Sequence, residues 1–114
     1  MQVRRTYHEV NPELLYAEVR DFTLKQGVAL GEAKLETYTQ PDQSADFIMR
    51  GTLTFRAGGG AGQAEKECLR AHIVGSARGE TKLMLDIDEK LFPGEALTAL
   101  QGDLDFIFAE HEVE

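Results

Sequence analysis

The spacing of the apolar residues changes along this chain, and that change decides which folds are open to it. Residues 45–57, ADFIMRGTLTFRA, alternate at every second position. Phe47, Met49, Gly51, Leu53 and Phe55 fall on one face, and Asp46, Ile48, Arg50, Thr52, Thr54 and Arg56 on the other. Such a pattern predicts a strand with one apolar side. It returns in ECLRAHIVG, where Leu69, Ala71 and Ile73 face inward and Cys68, Arg70, His72 and Val74 outward. It returns again in TKLMLDID, with Leu83, Leu85 and Ile87 inward and Lys82, Met84, Asp86 and Asp88 outward. VALGEAKLETYT is extended in character, with a bulge expected at Gly31. Residues 3–10 predict a further strand, with Val3, Arg5 and Tyr7 inward and Arg4 and His8 outward.

Helical spacing occupies the two remaining stretches. Asn11-Pro12 suits an N-cap and first helical residue, Glu13 suits the first turn, and Leu15, Val19 and Phe22 follow at spacings of four and three. The helix is expected over 12–26, with Gly27 ending it. Pro93-Gly94 breaks the last strand, and a second helix follows with a stripe of Leu97, Leu100, Leu104, Ile107 and His111, widened by Ala96, Phe106 and Phe108. Gly102 is expected to let that helix lie close to the sheet. The order is β-α-β-β-β-β-α in a single domain, 1–114. Strands grouped between helices predict an α+β fold: an antiparallel sheet of about five strands with two helices packed on one face.

Charge and cysteine usage bound the partners. The 114 residues carry a net charge of −8, which repels phosphate backbones and anionic lipid. Nucleic acid is therefore an unlikely partner, and no run of apolar residues is long enough to enter a membrane. The single cysteine, Cys68, cannot form an internal disulfide, and the amino-terminal stretch has no apolar signal core; a cytoplasmic home is expected.

No chemistry-bearing motif emerges. FRAGGGAG, 55–62, lies between two strands and lacks a Gly-Lys-Ser/Thr ending, so it reads as a hairpin tip rather than a phosphate cradle. His8, His72 and His111 lack partners at ligand spacing, and no nucleophile has an assignable base. Neither a catalytic set nor a metal site nor a cofactor is expected, and an enzyme is the less favoured class.

The element order of the whole chain resembles two architectures. One is the helix-grip fold of START and Bet v 1-like proteins, in which a curved antiparallel sheet wraps a long C-terminal helix, here 93–111. The other is the TATA-binding-protein-like fold, with the same strand–helix–four-strand–helix order in one repeat. The first resemblance implies a small apolar ligand between sheet and C-terminal helix, lined by Arg5, Tyr7, Phe47, Met49, Phe55, Leu104 and Phe108. Most of these residues are equally the expected core. Arg5, charged on the inner face, is expected to snorkel at the sheet edge or to pair with Glu9 or Glu32. The alternative is a protein-interaction or homodimerisation module using the open sheet face through Arg50, Arg56, Arg70 and His72. Both readings stay open at this point.

Overall fold

Alternation in sequence becomes a one-sided sheet in space. The computed structural model describes residues 1–40, 43–58, 64–76 and 79–113. In chain order these form β1 (Gln2–His8), α1 (Pro12–Leu24), β2 (Ala29–Gln40), β3 (Gln43–Gly58), β4 (Glu65–Gly75), β5 (Glu80–Ile87) and α2 (Gly94–Phe108), with a 3-10 turn at Ala109–His111. The strands make one five-stranded antiparallel sheet in the order β1-β5-β4-β3-β2. The fold is α+β, as expected.

Cross-strand register assembles the inner face into rows. One runs Val3–Leu85–Ala71–Leu53–Ala33, the next Arg5–Leu83–Ile73–Gly51–Leu35. Both helices lie on this face. α1 begins where Asn11 Oδ1 accepts from the Glu13 N–H at 2.8 Å, and it buries Leu15, Tyr16, Val19 and Thr23. α2 buries Leu97, Leu100, Leu104 and Phe108, and the Phe108 ring packs 5.8 Å from that of Tyr7 in β1. Lys25 reaches from the end of α1 to Asp103 in α2 at 3.3 Å.

Several expectations are corrected. α1 ends at Leu24 rather than at residue 26. The stripe of α2 uses Phe108 and not Ile107, because spacings of three and four from Leu97 through Leu100 and Leu104 arrive at 108; Phe106 is 93% exposed. Gly102 is exposed on α2, and a Cβ there would meet nothing within 4 Å, so it does not ease the helix onto the sheet. Gly51 plays that part instead. The ring of Tyr16 lies over it, and an added Cβ would meet Tyr16 Cδ2 at 2.6 Å. Cys68, expected to face outward, is 1% exposed. The register between β3 and β4 slips after Phe55, which pairs with Leu69, while Arg56 pairs with Glu67; Cys68 is the extra residue of that bulge and turns inward.

The bulge expected at Gly31 is present, as a register shift between Leu30 and Ala33 where the Glu32 N–H donates to Thr54 Oγ1 at 2.6 Å. The turn at Pro41-Asp42, the glycine tip at 59–63 and the turn residues Ala77 and Arg78 lie outside the described residues.

β3 has 16 residues against 7 in β1 and 8 in β5. At about 3.3 Å per residue it would reach about 53 Å, and the molecule's longest dimension is 53 Å. β2 and β3 therefore run on past the helices as an arm, where Tyr38 and Phe47 are exposed; Leu35, level with Gly51, is exposed at the β2 edge beside α1.

These two glycines should behave oppositely in urea unfolding. Gly102→Ala is expected to stabilise by about 1 kcal/mol, the helix-propensity difference. Gly51→Ala is expected to cost about 1–3 kcal/mol by displacing Tyr16. Equal effects at the two positions would contradict this account of which glycine admits the helix.

Candidate functional site

Two regions compete, one on each side of the sheet. The seven residues expected beneath the C-terminal helix do not gather in one place. Tyr7, Leu104 and Phe108 meet under α2 and are buried, with Arg5 beside them, while Phe55 lies in the common core. Phe47 is 49% exposed on the arm, and Met49, half-buried, pairs with Gly75 and Thr37.

Arg5 pairs with neither Glu9 nor Glu32. Its guanidinium meets the Asp105 carboxylate of α2, with Glu112 3.8 Å away. The Arg5 side chain is only 13% exposed. Burial works against its charge, yet the bond to Asp105 and the nearby carboxylates leave its pKa raised overall. The pair fastens β1 to α2 at the sheet edge. The chain's end adds to this closure: Glu112 bridges to Tyr7, and the Val113 N–H donates to the Thr6 carbonyl at 2.7 Å.

The Tyr7 hydroxyl is buried among these groups, and among the described residues it has no hydrogen-bond partner. Burial pushes its pKa up, opposed by the Arg5 cation. Burial likewise pushes up the Cys68 thiol, the opposite of what an activated nucleophile needs. Among the described residues no group of three or more His, Cys, Asp or Glu side chains could hold a metal ion.

The other region is the sheet's uncovered face. Register sets its residues in rows: Gln2–Asp86–Arg70–Thr54, then Arg4–Met84–His72–Thr52–Lys34, then Thr6–Lys82–Val74–Arg50–Glu36. Arg50, Arg70 and His72 lie in neighbouring rows. Arg56 stands apart, beyond the β3–β4 bulge and against the β2 bulge, its Nε 3.4 Å from where a Gly31 Cβ would be. Arg70 is engaged by Glu67 at 2.9 Å, which raises its pKa. Among the described residues no ion pair joins Arg4, Arg50 or Lys82 to a carboxylate.

A depression of about 420 Å³ sits on this face; its lining includes Arg4, Thr6, His72, Val74, Lys82 and Met84, with Arg5 and Leu83 contributing from the same strands. Val74 and Met84 make its apolar floor, with two exposed cations at its walls. Of the expected interface residues only His72 lines it. The outward parity of Arg4, Lys82 and Met84 is readable in sequence, but their convergence depends on β1 pairing with β5, a contact between the first and the fifth strand.

No protein family, no curated protein and no solved structure matches the chain. The likeness to helix-grip and TATA-binding-protein-like folds stays one of element order. No helix among the described residues is long and apolar enough to cross a membrane.

The buried hydroxyl makes a pH-dependent prediction. A raised folded-state pKa means the folded chain holds this proton more tightly than the unfolded one. The associated stability is complete below the unfolded tyrosine value of about 10 and is lost as pH rises through the folded value. Tyr7→Phe is expected not to destabilise at neutral pH, since among the described residues no hydrogen bond is removed and the cost of burying an unpaired hydroxyl is relieved. It should also soften the loss of stability above pH ~10. A large loss at neutral pH would show that the hydroxyl does have a partner.

Proposed function

We infer that this chain is a protein-interaction module that uses the open face of its sheet. The observation that carries the reading is the depression at β1, β5 and β4, where Arg4 and Lys82 flank an apolar floor of Val74 and Met84. In a chain of net charge −8 these cations form a local exception. The chemistry suits a partner segment that combines carboxylates with an aliphatic or aromatic side chain. Arg50 and His72 extend the same surface toward β3, and Thr6 and Thr52 offer hydroxyls between the charges.

One observation supports a second reading, a small apolar ligand between sheet and α2. The unpaired Tyr7 hydroxyl would orient such a ligand's polar end, with Leu104 and Phe108 against its apolar part. Native mass spectrometry of protein purified from its own cells tests it. A discrete added mass, lost in Tyr7→Phe, is the expected result under that reading, and bare protein in both cases counts against it.

The interaction reading is tested with a fluorescent peptide of alternating Glu and Leu, followed by anisotropy. Binding is expected to weaken with rising salt. Arg4→Glu with Lys82→Glu should weaken it at least about tenfold, as two favourable charge contacts become repulsive. Undiminished binding by that double variant would remove the depression as the docking site.

A further inference from the structure

The sheet's two edges are finished differently. At β1, the chain's own end lies alongside: Val113 donates to Thr6, Glu112 bridges to Tyr7, and α2 is tied down through Arg5 and Asp105. At β2, no strand among the described residues pairs with the outer side. The bulge at Leu30–Ala33 disturbs one end of this edge, leaving Ala33–Thr39 in continuous register with β3. Unpaired main-chain groups on a regular edge are a template for another strand.

The side chains along this edge choose the strand. Lys34 and Glu36 flank Leu35, both on the open face, and lie 3.6 Å apart within the chain. A two-fold axis perpendicular to the sheet makes antiparallel neighbours of two β2 strands and keeps both pairs of helices on the same side. It requires residues of like facing to stand opposite. Centred on Leu35, it sets Lys34 against Glu36 of the second copy twice, with Leu35 against Leu35 and Ala33 against Thr37. Centred on Lys34 it opposes lysine with lysine and Glu32 with Glu36, and centred on Glu36 it opposes glutamate with glutamate. Only the Leu35 register joins opposite charges without disturbing the bulge. Leu35 itself is 36% exposed on the inner face and would gain an apolar neighbour.

We propose that the chain pairs with a second copy of itself along β2, through a two-fold at Leu35 held by reciprocal Lys34–Glu36 contacts. The product is one continuous ten-stranded antiparallel sheet. Its uncovered face carries two copies of the Arg4–Lys82 depression at opposite ends. This proposal does not depend on that depression's role, because the β2 edge is the sheet's opposite edge from the depression at β1, β5 and β4.

The test is charge reversal read by sedimentation equilibrium. The wild type is expected at twice the chain mass of 12.7 kDa. Lys34→Glu and Glu36→Lys, each alone, make every facing pair like-charged and should weaken the dimer about tenfold or more. The double variant Lys34→Glu with Glu36→Lys exchanges the signs and should restore the dimer. An equimolar mixture of the two single variants should form mixed dimers, because each supplies the charges the other lacks. Both substituted positions are exposed or half-exposed, and circular dichroism confirms that each variant is folded. A wild type that stays at monomer mass at millimolar concentration overturns the proposal. So does a dimer that either single reversal leaves intact.

Discussion

Five strands must keep one face dry here, and among the described residues two α-helices of 13 and 15 residues cover it. The row Arg5–Leu83–Ile73–Gly51–Leu35 shows how the shortage is met. Its middle is fully buried, with Leu83 and Ile73 beneath the helices and the Tyr16 ring laid over Gly51. Its ends are not apolar and covered but handled separately. Arg5 at one end is neutralised by Asp105, whereas Leu35 at the other remains at the surface. Burial of a Leu or Phe side chain is worth about 1.5–3 kcal/mol, so the nineteen apolar residues buried among the described residues outweigh those left exposed.

The fold class was legible because period is a local property. Alternation in 45–57, 67–75 and 81–88 and helical spacing around Leu15 and Leu100 each report on their own segment, and together they leave few arrangements. What escaped depends on register between segments. Cys68 has the outward parity of Arg70 and His72, and only a one-residue slip against β3 turns it inward. Arg5 finds Asp105, one hundred positions away, through the packing of α2 on β1. The site suffers in the same way. Outward facing was readable for each cation, but not which cations become neighbours, because β1 lies beside β5. Glycine roles were exchanged for a similar reason: nothing local to Gly51 shows that Tyr16 will lie above it.

The open face and the arm belong to one design. Covering helices occupy one side, so the other side's charged and hydroxyl-bearing rows are left available across the full width of the sheet. Long central and edge strands extend that surface beyond the helices. Charged residues interspersed with Thr also keep such a face from indiscriminate stacking.

The buried cysteine has a practical consequence. With its thiol 1% exposed at the β3–β4 bulge, Cys68 can meet a reagent only when the bulge parts. Being the only thiol in the chain, it makes each labelling event attributable to one place. The rate at which it is consumed by an excess of disulfide reagent is therefore a clock for opening at the β3–β4 bulge, where the β4–β5 ladder ends. That clock runs in the native protein, without any substitution, and occupants of either face can be ranked by how much they slow it.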